Sequence, residues 1–111
     1  MSKVLKEKRL SSLQFLILGI LLDRDCPGRT VRDRLAEFGE GKTGPAFYRL
    51  MSRMEDAGVI VGRYDHEVVA GQMIRQRIYR VSAEGRRKWD AQRAFQDRVV
   101  ASFGNAGVES V

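Results

Sequence analysis

The chain has 111 residues, 43% hydrophobic and 31% charged, which fits one folded domain, or one domain with a helical appendage, and excludes a large two-domain enzyme. Twenty Lys and Arg stand against 14 Asp and Glu; the formal net charge of +6 favours an acidic partner, nucleic acid before anionic membrane. Cys26 is the only cysteine, so no disulfide closes within the chain, a cysteine zinc site lacks its ligands, and a reducing cytoplasm suits the composition.

Residues 1–9, MSKVLKEKR, read as a basic arm or an early helical turn. A first helix follows at about 11–23, capped by Ser11 or Ser12. Its apolar run, Leu13–Leu22, spans ten residues, half of what a membrane helix needs, and no small-residue cleavage site follows it. The expectation is an intracellular protein with no membrane partner. The run is apolar nearly all round, more than a chain this small can cover alone, so one face calls for a partner subunit.

Asp25-Cys26-Pro27-Gly28 reads as a turn, with Cys26 a structural residue. Thr30 is a plausible cap for a second helix at about 31–38, with Val31, Leu35 and Phe38 on one face. Thr43 caps a third helix at about 44–57, with Pro45 in its first turn, an apolar stripe of Phe47, Leu50, Met51 and Met54, and Gly58 as its left-handed stop. The period then changes to that of strands. Residues 59–64 form one strand, 65–73 a connection and 74–81 a second strand, whose two sides carry Ile74, Gln76, Ile78, Arg80 and Arg75, Arg77, Tyr79, Val81. Ser82 caps a fourth helix over about 83–103, with Glu84 in its first turn and Ala91, Phe95, Val99 and Phe103 recurring every four residues. Trp89 and Val100 lie on other azimuths, so this helix has two apolar faces and calls for two neighbours. Gly104–Val111 reads as a frayed tail.

Three helices, a basic hairpin and a last helix describe a mainly α fold with a small antiparallel β-hairpin, a winged helix-turn-helix followed by a C-terminal dimerisation helix. The expected divisions are 1–81 for DNA binding, 82–103 for dimerisation and 104–111 as a flexible tail. The third helix presents Tyr48, Arg49, Ser52 and Arg53 off its apolar stripe, with Lys42 and Thr43 at its start near a phosphate. Arg63, Arg75 and Arg77 are the candidate contacts of the wing. Between residues 68 and 88 six cations face Glu84 alone, a net charge of +5. The candidate dimer residues are Leu13, Ile17 and Ile20 on the first helix and Trp89, Phe95, Val99 and Phe103 on the last. Gly39-Glu40-Gly41-Lys42-Thr43 lacks the first glycine and the preceding strand of a phosphate-binding loop. His66, the single histidine, has only loop carboxylates beside it and makes a poor metal cage. No nucleophile–base pair is evident, so the chain reads as a non-enzyme without a cofactor.

Residues 43–60, TGPAFYRLMSRMEDAGVI, resemble the PadR-like family of winged-helix transcriptional regulators, whose pattern there is roughly Ser-Pro-Gly-Thr-Leu-Tyr-Pro-x-Leu-x-Arg-Leu-Glu-x-x-Gly-Leu-Ile. Thr43 takes the place of the serine cap, Phe47-Tyr48 that of Leu-Tyr, Met51, Arg53, Met54 and Glu55 that of Leu-x-Arg-Leu-Glu, and Gly58-Val59-Ile60 that of Gly-Leu-Ile. Arg77 to Ser82 and Gly85 follow the family's Arg-x-Tyr-Tyr-x-Leu-Thr-x-x-Gly, and Leu16, Leu18, Gly19 and Leu21-Leu22 look like its first helix. The chain departs from the pattern at Gly44-Pro45, which reverse the usual order, at Arg49 in place of proline, at Gly28-Arg29-Thr30 where Gly-Tyr is common, and at Ile78 in place of the first wing tyrosine. The resemblance covers about residues 10–89. It implies a cytoplasmic homodimeric repressor of double-stranded DNA, short in form, with its C-terminal helix packed near the partner's N-terminal helix. It further implies that a small aromatic or cationic compound can act as effector. The alternative reading is a winged-helix adaptor that binds protein and has no dedicated operator.

Overall fold

The computed structural model describes residues 8–104. The readings of residues 1–7 as an arm and of 105–111 as a tail lie outside the described residues. Helix α1 (Ser12–Leu21) begins with a reciprocal cap. The Ser11 hydroxyl accepts the Gln14 amide at 3.1 Å and the Gln14 side chain accepts the Ser11 amide at 2.9 Å, so two otherwise orphaned donors are satisfied.

The segment expected to be a plain turn holds a two-residue strand, β1 (Cys26–Pro27). It pairs antiparallel with the later strand β3 (Gln72–Val81), placing Cys26 opposite Tyr79 and Pro27 opposite Ile78. The sheet order is β1-β3-β2, with β2 (Ile60–Val69). A proline is tolerated in β1 because it is an edge strand. Cys26 is buried, its thiol reaches the Arg24 carbonyl at 3.5 Å, and burial pushes its pKa up, which suits a structural residue. Pro27 is also the entry to α2 (Gly28–Glu37), which starts three residues earlier than expected and has no side-chain cap. Thr30 is therefore inside the helix and exposed; the ring of Pro27 and its place in the sheet set the chain direction instead.

Helix α3 (Gly44–Asp56) follows the expectation closely. The Thr43 hydroxyl accepts the Ala46 amide at 3.3 Å, and Gly58, at φ +78°, ends the segment in the left-handed region. The hairpin is longer than the sequence pattern indicates. Pairing runs unbroken from Ile60 opposite Val81 to Val69 opposite Gln72, so the expected connection 65–73 is mostly strand. Only Ala70 and Gly71 turn the chain, with φ +53° and +81°. Two positive φ angles match the twist of a two-residue hairpin turn. The distal strands went unread because both their faces are wet, and no apolar alternation marks them.

Helix α4 (Ala83–Phe103) starts at Ser82, whose hydroxyl accepts the Gly85 amide at 2.9 Å and donates to the Gly58 carbonyl at 2.6 Å. The core lies where α1, α2 and α3 meet: Ile17, Leu18, Leu21, Val31, Leu35, Phe47, Met51 and Met54 are fully buried. Ile17 at 0% exposure has no surface to offer a partner, which corrects its assignment to a dimer interface. The first half of α4 is clamped to α1. The Trp89 ring stacks on Phe15 with centroids 5.0 Å apart and planes 6° apart, and its indole N–H donates to the Phe15 carbonyl at 3.1 Å. The Gln92 amide bridges both backbone groups of Leu10 at 2.9 and 3.0 Å. Beyond Gln92 every described residue of α4 is exposed. No helix among the described residues is long and apolar enough to cross a membrane.

Gly85 sits where α4 crosses the end of the turn before β2, and a methyl group there would collide with the Val59 carbonyl oxygen. Alanine is the better helix former by about 1 kcal/mol, yet the collision is with backbone that cannot rotate away. Gly85→Ala is expected to destabilise the fold by about 1–3 kcal/mol, read as a lowered thermal midpoint; a raised midpoint would refute the packing at this crossing.

Candidate nucleic-acid interface

Burying Phe47, Met51 and Met54 turns the other sides of α3 outward. Arg49 and Arg53 are one turn apart on this outer side and exposed, and neither forms an ion pair among the described residues. Tyr48, Ser52 and Glu55 occupy a neighbouring strip that faces the hairpin. Tyr48 packs edge-on against Phe47 at 4.9 Å, lies over Gly28, and remains 40% exposed. Lys42 is exposed, and its carbonyl accepts the Arg32 guanidinium at 3.3 Å, which braces the turn that leads into α3. The Thr43 hydroxyl is committed to the helix cap.

The pairing register divides the wing into two unlike faces. Tyr64, His66, Arg75, Arg77 and Tyr79 share the face toward α3; Arg63, Asp65, Glu67 and Gln76 share the other. Arg75 lies over the Tyr64 ring at 3.8 Å and Arg77 at 4.6 Å. Arg77 also donates from Nη2 to both carboxylate oxygens of Glu55, at 2.6 and 2.9 Å, in a pair whose side chains are only 27% and 21% exposed. Desolvation works against the Arg77 charge, but the Glu55 hydrogen bond and charge prevail and hold its pKa above the ordinary arginine value.

The sequence-derived candidates therefore separate. Tyr48, Ser52 and Arg75 come together around a cleft of about 710 Å³, whose wall Glu55, Tyr64 and Arg77 complete. Arg49 and Arg53 are on the outer side of the same helix. Arg63, by contrast, is on the opposite face of the wing, paired with Asp25 at 2.8 Å. Arg77, expected as a wing phosphate contact, is on the face toward α3 and is held by Glu55. Arg87 of the basic stretch is likewise bound, to Glu84 at 2.7 Å, and that hydrogen bond keeps the Glu84 carboxyl below its usual range. Sequence reasoning overlooked Glu55 as a site residue and overlooked Arg29, which also lines the cleft. The spacing of 48, 52 and 55 along one helix strip carried the signal for Glu55. No cluster of metal-ligating side chains occurs among the described residues.

A second surface lies along α1. Phe15, Leu16, Gly19, Ile20, Phe38 and Trp89, with Arg34 at the rim, line an apolar groove of about 300 Å³. Leu13 and Ile20 are partly buried against the chain's own core. Further along α4, Phe95, Val99, Val100 and Phe103 are 36, 41, 65 and 72% exposed, with the Arg9 guanidinium 4.1 Å over the Phe95 ring.

No family sequence model matches the chain, and no curated protein matches it. Solved structures do match. A PadR family transcription regulator from hypervirulent Clostridium difficile R20291 is similar with a TM-score of 0.67 and 25% identity, covering 84% of this chain and 98% of that one. A PadR family transcriptional regulator from Eggerthella lenta DSM 2243 gives 0.66 and 23%, covering 86% and 80%. Bacillus subtilis PadR in complex with operator DNA gives 0.62 and 19%, covering 74% of this chain and 46% of that one.

The Tyr79 phenol is at the base of the cleft, where burial first, and the Glu55 charge second, push its pKa from 10.0 up to about 12. The unfolded chain ionises this group before the folded chain does, so its contribution is complete below pH 10 and drains away as pH rises toward 12. Raising the pH from 9 to 11 is expected to lower stability by about 1.4 kcal/mol through this residue. Denaturant midpoints of the parent chain and Tyr79→Phe measure it: the variant should lose that part of the alkaline drop, and identical drops would contradict the assignment.

Proposed function

We propose that this chain, a structural homologue of the PadR-family winged-helix regulators, is a sequence-specific double-stranded DNA-binding transcriptional regulator that acts as a homodimeric repressor in the cytoplasm. The observation that carries the reading is the side of α3 that stays bare: Arg49 and Arg53 are exposed and unpaired by acids among the described residues, away from the buried stripe, while Arg75 of the wing lines the cleft along the neighbouring strip of the same helix. That placement suits a helix laid in the major groove, with Arg49 and Arg53 at base edges. Lys42 and Arg75 then meet phosphates, and Tyr48 and Ser52 fill the space between groove and wing. The likeness to a PadR held on operator DNA supports the docking geometry. The PadR-like class is non-catalytic, and this chain acts by binding.

One module neutralises few phosphates, so affinity for a short duplex is weak and strongly salt-dependent unless two modules are joined. The surfaces for joining are the apolar groove along α1 and the unaccompanied second half of α4, whose Phe95, Val99 and Phe103 suit the groove of a second copy. An aromatic effector of the kind the resemblance implies would find its apolar walls in the same groove, at Phe15, Phe38 and Trp89.

Selection of bound duplexes from a random pool, followed by anisotropy titration, tests the reading. The selected duplex is expected to bind at least about a thousandfold more tightly than random duplex. Arg49→Ala should cost about 1–3 kcal/mol on the selected duplex and relax its sequence preference. No binding to any duplex at low salt, together with a stoichiometric protein that survives nuclease treatment, would replace the reading with that of an adaptor. For assembly, light scattering should give twice the mass of one chain, and Phe103→Asp with Val99→Asp should shift it toward a single chain; a parent chain that stays single at micromolar concentration would defeat the dimer.

A further inference from the structure

Winged-helix recognition needs a helix and a hairpin held at a fixed angle; here the base of the hairpin packs on α3 through Val59, Ile60 and Tyr79, and one ion pair ties the two together further out. Glu55 is on the last turn of α3 and Arg77 is in the middle of β3, 22 residues apart in sequence. Arg77 is sandwiched: Glu55 holds its Nη2 by two charge-assisted hydrogen bonds, and the Tyr64 ring lies beneath its plane. The same ring carries Arg75, which has no carboxylate partner among the described residues. Two arginines share one aromatic platform, and Glu55 distinguishes them.

Gly62 provides an independent observation. It is opposite Tyr79 on β2, directly beside the pair. A methyl group at this position would sit 2.5 Å from the Glu55 carboxylate and 2.8 Å from Arg77 Nε. The strand therefore has no side chain at a place where one would displace the pair, although glycine weakens a strand interior.

We propose that Glu55 is a specificity-determining positioning residue: it withholds Arg77 from DNA phosphate and fixes the wing against α3, so that Arg75 alone meets the backbone from this face. The proposal rests on the DNA-binding reading and goes beyond it. Arg77 makes no sequence-blind contact while Glu55 holds it. Once released, it adds one phosphate contact to every duplex alike and loosens the angle that sets register.

The experiment compares the full-length parent with Glu55→Gln, Gly62→Ala, Arg77→Gln and Arg75→Gln, using a duplex selected from a random pool and a random duplex, each titrated across a salt series. Each phosphate contact contributes about 0.9 to the slope of log affinity against log salt. Arg75→Gln is expected to make the slope shallower by about 0.9, and Arg77→Gln to leave it unchanged while the preference for the selected duplex falls. Glu55→Gln is expected to steepen the slope by about 0.9, to raise affinity for random duplex, and to cut the selected-to-random ratio roughly tenfold, the scale of one mismatched base pair. Gly62→Ala leaves the charge unaltered and displaces the same pair, so it should steepen the slope too and separates release of Arg77 from loss of a carboxylate. A shallower slope for Arg77→Gln overturns the proposal and leaves the DNA reading intact. Falls in thermal midpoint and in both affinities together, with no change of slope in Glu55→Gln or Gly62→Ala, reduce the pair to a structural role and also overturn it. Absence of duplex binding by the parent chain defeats the functional reading itself, and the proposal with it.

Discussion

The structure depends on one constraint: α3 must be core on one side and bare on the other. Phe47, Met51 and Met54, at spacings of four and three, are fully buried against α1 and α2. Loss of a buried aromatic side chain of this kind costs about 3–5 kcal/mol, a large share of the stability of a small domain. Because that stripe fixes the rotation of the helix about its axis, every other side chain on it is placed. Arg49 and Arg53 face away from the protein, and Tyr48, Ser52 and Glu55 face the hairpin. The chemistry of the outer face is a by-product of packing on the inner one.

The rest of the molecule holds that helix in place by short polar links. Thr43 and Ser82 cap the helices on either side of the hairpin, and Ser82 also ties the end of the hairpin back to Gly58. Arg32 braces the loop before α3 through the Lys42 carbonyl. At the far end, Trp89 and Gln92 fasten α4 to α1 through backbone groups of Phe15 and Leu10. The contact between α3 and the wing has another character. Beyond the apolar contact of Val59, Ile60 and Tyr79 with the core, it includes one largely buried ion pair, where removal of either partner leaves the other charge without its counterion.

Much of this was legible in the sequence because helix signals are local. Caps at Thr43 and Ser82, the stop at Gly58 and the stripe of α3 each need only a few neighbouring residues to read. The strand β1 was illegible because two residues carry no period, and its pairing partner lies about fifty positions away. The true length of the hairpin was hidden for the opposite reason: its outer part has no buried face, and Ala70-Gly71 is a weaker turn signal than Asn-Gly. The charge count misled in a specific way. Of the cations between 68 and 88, Arg77 and Arg87 are bound by Glu55 and Glu84, and the partner of Arg77 lies outside that window. A linear tally cannot register a pairing made by folding. The same blindness placed Ile17 on a surface, since an all-apolar helix does not reveal which of its sides the chain itself will cover.

The second half of α4 has a thermodynamic meaning of its own. From Arg93 onward this stretch has no packing against the rest of the described chain that buries a residue, and a helix of such length in water is marginal on its backbone hydrogen bonds alone. Its order is borrowed from the clamped turns that precede it. A partner that covered Val99, Val100 and Phe103 would therefore lend free energy to the helix as well as to the complex. With a second copy in that role, as proposed above, dilution would act as a mild denaturant local to one end, and abundance in the cell would become one of the variables that set its shape.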